Sequence, residues 1–133
     1  MDHESARLPL EVEAVLDAWR PRIAAILDSS LRGARLFGSV ARGGFERGWS
    51  DIDVCTVLAK PVTDAQAESI GQLHDELEAR FLGGSDPTWG NTQLLEGAYV
   101  PADLAPTPGA EARCLLVGTG RRAIEVCDPV PGL

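Results

Sequence analysis

Apolar side chains recur at helical spacing in the first part of this chain. From Pro9 onward they follow steps of three and four residues, a pattern that predicts an amphipathic helix. The positions of this stripe are Val12, Val15, Leu16, Trp19, Ile23, Ile26 and Leu27. Pro21 interrupts the stripe, and proline both lacks an amide donor and clashes one turn back. We therefore expect a kink or two abutting helices there, and an end to the segment at Gly33.

A second helix is predicted after Lys60-Pro61. Thr63 and Gln66 have the spacing of a capping box, in which each side chain accepts from the other residue's backbone amide. The apolar residues that follow on one face are Ile70, Leu73, Leu77 and Phe81. Gly83-Gly84 then predicts the end of the helix.

Short apolar runs between and after the helices predict strands. We expect strands at Ala34–Phe37, Asp51–Leu58 and Thr92–Val100. Cys114–Val117 and Ala123–Val126, separated by a glycine-rich turn, predict a hairpin. The spacing of Gly118, Gly120 and Ala123 also fits a dinucleotide fingerprint. That motif needs a whole βαβ unit, and only 13 residues follow Gly120.

Together these elements predict an α/β (α+β) fold, in which helices flank a mixed β-sheet. The length of 133 residues, with 44% hydrophobic content, suits one compact domain with a substantial core. We expect that domain to span residues 1–133, with its core at about 9–100. A C-terminal loop and the hairpin would occupy 101–133.

Two aspartates at the start of the second predicted strand are the first candidates for chemistry. Side chains alternate along a strand, so Asp51 and Asp53 are expected on one face while Ile52 and Val54 point into the core. Carboxylates so placed repel each other unless a cation lies between them. Mg²⁺ is commonly bound by one or two carboxylates together with substrate phosphates. The pattern therefore predicts a magnesium site at Asp51 and Asp53.

A Gly-Ser turn precedes these aspartates by eleven residues. Gly38 allows the backbone to approach a phosphate closely, and the Ser39 hydroxyl and the amides after it can face an anion. The run Gly38-Ser39-Val40-Ala41-Arg42-Gly43, followed by Ser50-Asp51-Ile52-Asp53-Val54, resembles the nucleotidyltransferase signature of the DNA polymerase β superfamily. The resemblance is greatest to the minimal nucleotidyltransferases and the aminoglycoside adenylyltransferases.

This resemblance implies further site residues. In the family a third carboxylate follows on a later strand, where it completes the metal site or takes the proton of the acceptor hydroxyl, and Glu96 is the candidate. An edge-strand glutamate that faces water is the alternative. Gly38 and Ser39 would bind the β- and γ-phosphates of the nucleotide. Arg42 would add a charge-assisted contact to them or face solvent.

The amino-acid composition indicates which classes of binding partner to expect. The 12 basic and 20 acidic residues give a net charge of −8, which argues against extended nucleic-acid binding and favours a small cationic or protein acceptor. Cys55, Cys114 and Cys127 are widely spaced, so we expect buried thiols and a cytoplasmic protein, without a disulfide framework or zinc site. The sequence has neither the pattern of a signal peptide nor an apolar run of membrane-spanning length.

Two further residues have competing interpretations. His74 lies beside Asp75 and Glu76, so an exposed histidine is expected in preference to a catalytic base. Trp89 lies in a predicted loop, where it would cap the core or stack on a base or sugar.

The predicted enzyme is a Mg²⁺-dependent nucleotidyltransferase that moves a nucleoside monophosphate, AMP from ATP, to a hydroxyl of a small molecule or protein. Asp51, Asp53 and Glu96 are its predicted catalytic residues. One alternative, implied by the resemblance, is an antitoxin that binds or modifies a helical HEPN-type ribonuclease toxin. Another is an inactive relative that only binds nucleotide. A homodimer is also expected, because a one-domain transferase lacks a second wall for its cleft.

Overall fold

The structure is a computed structural model that describes residues 9–37, 52–82, 94–102, 112–118 and 121–127. Its helices are α1 (Leu10–Leu27) and α2 (Asp64–Phe81), and a short 3₁₀ turn (Asp28–Ser30) follows α1. Its strands are β1 (Leu31–Phe37), β2 (Ile52–Leu58), β3 (Leu95–Pro101), β4 (Ala112–Gly118) and β5 (Arg121–Cys127).

Helix α1 buries the predicted apolar stripe. Its buried residues are Val12, Val15, Leu16, Trp19, Ile23 and Leu27. The helix continues through Pro21, which is exposed, so the alternative of two abutting helices is wrong. The chain leaves α1 at Asp28, which has a φ of 50°, and not at Gly33 as predicted. Strand β1 consequently begins at Leu31, three residues earlier than expected.

The predicted capping box opens α2. Thr63 Oγ1 accepts from the Gln66 amide at 3.1 Å, and Gln66 Oε1 accepts from the Thr63 amide at 2.9 Å. Two of the unpaired amides at the helix N-terminus are thereby satisfied. The predicted residues Ile70, Leu73, Leu77 and Phe81 are all buried. In the described part of the chain, neither helix is long and apolar enough to cross a lipid bilayer.

The five strands form one mixed sheet in the order β1-β2-β3-β4-β5. Strands β2 and β3 are parallel, and the other neighbouring pairs are antiparallel. Helix α2 connects the two parallel strands, as such a pairing requires a crossover. The hairpin predicted near the end of the chain is present as β4 and β5. The observed architecture confirms the predicted fold class.

The sheet has two different faces. On the helix face, Ile52, Val54, Leu95 and Tyr99 pack with α1 and α2 in one large cluster. On the second face, a smaller cluster contains Cys55, Val100 and Cys114, with Ala98 and Leu116 packed against it. Cys55 and Cys114 are buried thiols, as predicted. The side chains of Asp53 and Glu96 belong to this second face because they alternate with helix-face residues.

Candidate active site

Asp53 and Glu96 lie side by side at the centre of the sheet. They are direct partners in the parallel pairing of β2 with β3, so their side chains project from the same face. Both are half-buried. Strand β3 has β2 on one side and β4 on the other, and the alternative of an edge-strand glutamate for Glu96 is therefore wrong. Two carboxylates separated by 43 positions in sequence are brought together by strand pairing alone.

The neighbours of this pair form a row across the sheet. Phe37 is the partner of Asp53 on the β1 side. On the β4 side, a Cβ placed on Gly118 would lie 3.6 Å from Glu96 Cγ and 3.9 Å from its Oε1. The row therefore runs Phe37, Asp53, Glu96, Gly118. Because Gly118 has no side chain, the flank of the Glu96 carboxyl group on the β4 side stays uncovered by a side chain at that position.

A pocket of about 260 Å³ lies over this row. Its lining residues are Phe37, Asp53, Val54, Cys55, Glu96, Gly97, Ala98, Leu116 and Val117. The two carboxyl groups supply the charge of the pocket, and its other lining residues are apolar or small. A ligand in this pocket would meet two acids on an apolar floor.

Four predicted site residues lie outside the described residues. They are Gly38, Ser39, Arg42 and Asp51, and the predicted loop residue Trp89 does so too. In sequence, Gly38 directly follows Phe37, the residue paired with Asp53, and Asp51 directly precedes Ile52. The shared face of Asp51 and Asp53 remains a prediction.

The prediction that His74 is exposed is wrong, because the residue is buried, with 1% of its surface exposed. Its Nε2 lies 2.8 Å from Tyr99 Oη. His74 stands four residues after Ile70 and three before Leu77, so the apolar stripe of α2 already included its position. It also lies on the helix face, across the sheet from Asp53 and Glu96. This position excludes direct contact with a substrate in the pocket.

Tyr99 is the residue whose importance the sequence did not reveal. It is the chain's single tyrosine, it is fully buried, and Trp19 Nε1 donates a hydrogen bond to its Oη at 3.1 Å. Burial raises the pKa of Tyr99, because it disfavours the phenolate, and the hydrogen bond from Trp19 lowers that pKa by a smaller amount. The hydroxyl group therefore keeps its proton at neutral pH.

The carboxyl pair fits a hard divalent cation. Two half-buried carboxylates on neighbouring strands offer the oxygen ligands that Mg²⁺ and Mn²⁺ prefer. Within the described ranges, no group of three or more His, Cys, Asp or Glu side chains is arranged to bind a metal ion. Asp51, the other aspartate of the predicted magnesium site, is not among those residues.

Comparison with known proteins agrees with this geometry. Residues 22–84 match the nucleotidyltransferase domain family, and this span includes the Gly-Ser turn, both aspartates and helix α2. The matched residues, 63 of the 133 in the chain, are thus similar to a nucleotidyltransferase domain. The family match confirms the resemblance drawn from residues 38–54, whereas Glu96 lies beyond the matched residues and enters the site through the pairing of β2 with β3.

A solved nucleotidyltransferase has a similar fold. It is the spectinomycin adenyltransferase AAD(9) from Enterococcus faecialis, whose crystal structure contains ATP and spectinomycin. The similarity has a TM-score of 0.63 at 17% sequence identity and covers 86% of this chain and 48% of that one. This chain thus spans about half the length of the enzyme it resembles. None of the curated proteins matches the chain in sequence.

Proposed function

We propose that this chain transfers a nucleoside monophosphate, AMP from ATP, to a hydroxyl group of a small molecule or protein, with Mg²⁺. The observation that carries the proposal is the pairing of Asp53 with Glu96 beneath a pocket, directly beside strand β1, which Gly38 and Ser39 follow in sequence. The family match over residues 22–84 supports the same reaction class.

The carboxylates on β2 have the binding role in this proposal. Asp53, with Asp51, would hold Mg²⁺, which when bound neutralises charge on the triphosphate and on the leaving pyrophosphate. Gly38 and Ser39 would bind the β- and γ-phosphates through backbone amides and a hydroxyl group. Arg42 would add a charged contact to the same phosphates. These side chains align the nucleotide for in-line attack, and alignment is the main demand that phosphoryl transfer places on a protein.

Glu96 is placed to act on the acceptor. In the proposed reaction the acceptor oxygen bonds to the α-phosphorus, and the bond from that phosphorus to the bridging oxygen of pyrophosphate breaks. The proton of the acceptor hydroxyl moves to a Glu96 carboxylate oxygen. Glu96 lies between Asp53 and Gly118, and because glycine carries no side chain, the acceptor would approach Glu96 from the Gly118 side.

The acidic balance of the chain bears on the choice of acceptor. A net charge of −8 favours a cationic acceptor over a polyanion such as nucleic acid. The AAD(9) enzyme, in its crystal structure, holds ATP and spectinomycin. Spectinomycin is therefore the first acceptor to try. A protein acceptor, such as the predicted helical toxin, is the second.

The test uses ATP labelled in its α-phosphate. The full chain is incubated with this ATP and Mg²⁺, first with spectinomycin and then with the purified product of the neighbouring gene, which under the antitoxin alternative would encode the helical toxin. The products are then separated. Label on either acceptor supports the proposal and identifies the acceptor class. Asp53→Asn, run in parallel, should leave both acceptors unlabelled.

Calorimetry with Mg²⁺ and ATP separates the remaining outcomes. Tight ATP binding without transfer to any acceptor favours the alternative of an inactive nucleotide-binding relative. Failure to bind ATP at all, by a protein that is folded in circular dichroism, overturns the transferase proposal. If the protein binds the product of the neighbouring gene without labelling it, the result favours an antitoxin that binds the toxin without modifying it.

A further inference from the structure

The ring of Tyr99 lies against the backbone of Gly97 on the helix face of β3. A Cβ placed on Gly97 would lie 2.8 Å from Tyr99 Cε2, closer than real Cβ atoms approach, and 3.0 Å from Tyr99 Oη, tighter than most real contacts. Only glycine fits beneath the ring without a shift of either the ring or the strand. The aromatic ring thus occupies the space that a side chain at position 97 would fill.

The position of Gly97 connects this contact to the site. It directly follows Glu96 in β3, and its partner in β2 is Val54, which directly follows Asp53. The ring therefore supports the sheet from behind, at the point where both carboxylates leave it on the opposite face. Tyr99 touches neither carboxylate, and its influence on them passes through the backbone.

Both helices hold the ring in this place. Trp19 of α1 donates to Tyr99 Oη at 3.1 Å, and His74 Nε2 of α2 lies 2.8 Å from the same oxygen. The rings of His74 and Tyr99 meet edge to face, at 81° and 6.0 Å between centroids. All three side chains are buried, so movement of the ring would leave buried polar atoms without their hydrogen bonds. Strand β3 is thus tied to α1 and α2 behind Glu96.

We propose that Tyr99, acting through Gly97, is a positioning residue that fixes the paired backbone of Glu96 and Asp53, and with it the Asp53 carboxylate that would bind the metal. This inference rests on the transferase function proposed above. Metal and substrate sites need their carboxylates held within fractions of an ångström, and residues behind the ligands supply that precision. Here the ring of Tyr99, in contact with Gly97, supplies that precision, and its hydroxyl group holds the ring against the two helices.

The experiment compares substitutions that disturb the contact with substitutions that spare it. Gly97→Ala pushes a methyl group into the ring, and Tyr99→Leu removes the ring. Tyr99→Phe keeps the ring and removes the hydroxyl group. Gly33→Ala is the matched control, because a Cβ on Gly33 of β1 has nothing within 4 Å. The readouts are the thermal midpoint of unfolding and the affinity for Mn²⁺ in the presence of ATP, measured by electron paramagnetic resonance.

We expect Gly97→Ala and Tyr99→Leu to weaken Mn²⁺ binding by about 10–100-fold, the range found when supports of metal ligands are removed. Gly33→Ala should match the wild-type protein in Mn²⁺ affinity and should unfold at a slightly higher temperature. Tyr99→Phe should unfold at a lower temperature, since Trp19 and His74 lose a partner, and yet bind Mn²⁺ nearly as the wild type does. This separation of metal affinity from stability distinguishes positioning from a merely structural role.

Three outcomes overturn the inference. If folded Gly97→Ala binds Mn²⁺ as the wild type does, Tyr99 does not position the Asp53 carboxylate, although the transferase proposal stands. If Mn²⁺ affinity follows the unfolding temperature through all variants, Tyr99→Phe included, the role is structural. If the wild-type protein binds no Mn²⁺ with ATP, the transferase proposal fails and the inference fails with it. Should Gly97→Ala not fold, the comparison of Tyr99→Leu with Tyr99→Phe decides.

Discussion

The two faces of the sheet are formed by the same strands but have different roles. On the helix face, apolar side chains pack against α1 and α2, and the polar atoms of Trp19, His74 and Tyr99 bond to one another. On the second face, Asp53 and Glu96 remain half-buried beside a pocket. Burial on the first face stabilises the fold, whereas partial exposure on the second keeps charged groups available to a ligand.

Because side chains alternate along each strand, residues of the two faces are direct neighbours in sequence. Asp53 lies between Ile52 and Val54, and Glu96 lies between Leu95 and Gly97, all of which belong to the helix face. The packed side therefore fixes the backbone from which the carboxylates project. Rigid support on one side gives precise geometry on the other. Helix-face substitutions away from Gly97 and Tyr99 should therefore lower stability, whereas substitutions of the two carboxylates should lower activity.

The largest expected effect is on activity, from Asp53→Asn. The substitution preserves shape and removes the charge that would hold Mg²⁺, so we expect pyrophosphate release to fall by about 10³-fold. The thermal midpoint of unfolding should stay near that of the wild type, because Asp53 projects from the second face. Release of pyrophosphate at the wild-type rate by Asp53→Asn would refute the assignment of this residue.

Glu96→Gln should have the next largest effect. Loss of a general base costs about 10²–10⁴-fold, and we expect the lower part of that range because the rest of the site stays in place. The measurement is the pH dependence of the transfer rate. If Glu96 is the general base, the acid limb of the wild-type pH profile should be absent from that of Glu96→Gln. An unchanged pH profile would mean that Glu96 has another role.

Leu73→Ala tests the helix face. Leu73 of α2 is fully buried, and truncation of a buried leucine costs about 2–5 kcal/mol of unfolding free energy. Urea unfolding should show that loss, whereas the transfer rate per folded molecule at low temperature should be close to that of the wild type. A large loss of rate with little loss of stability would contradict the separation of the two faces.

Because Tyr99 is buried, we expect the stability of the protein to fall at alkaline pH. Its pKa in the folded protein is raised above the ordinary value of 10.0, so above that pH the unfolded chain releases a proton that the folded chain keeps. The contribution to stability is complete below about pH 10 and is lost as the pH rises, by about 1.4 kcal/mol per pH unit. Urea unfolding of the wild type and Tyr99→Phe across this range measures the difference.

Absorbance provides an independent check of the same prediction, because the chain has a single tyrosine. The tyrosinate band should appear near pH 10 in the unfolded chain and be absent at that pH from the folded protein. Ionisation of the folded protein at the ordinary pKa would show that the hydroxyl group is accessible to water.

The smallest expected effect comes from Gly33→Ala. The added methyl group meets nothing within 4 Å, and alanine restricts the unfolded chain more than glycine does. We expect a gain of about 0.4–1 kcal/mol in unfolding free energy and an unchanged transfer rate. A clear loss of stability would mean that the irregular pairing near Leu31 and Gly33 needs glycine.

Local patterns predicted the elements that depend on local interactions. The stripe of α1, the capping box of Thr63 and Gln66, and the β4–β5 hairpin all follow from side chains a few residues apart. The errors arose where tertiary contacts override such signals. Strand β1 begins at Leu31 because it pairs with Leu58 of β2, and His74 is buried because Tyr99 from β3 meets it.

The sequence by itself indicated the resemblance to nucleotidyltransferases, through a Gly-Ser pair and an Asp-x-Asp pair whose chemistry depends on spacing within one short segment. Only the tertiary structure decided that Glu96 stands next to Asp53 and that Tyr99 supports Gly97 from behind. The physical reason is that strand pairing and helix packing join residues that are distant along the chain. No local periodicity encodes which of those distant residues will meet.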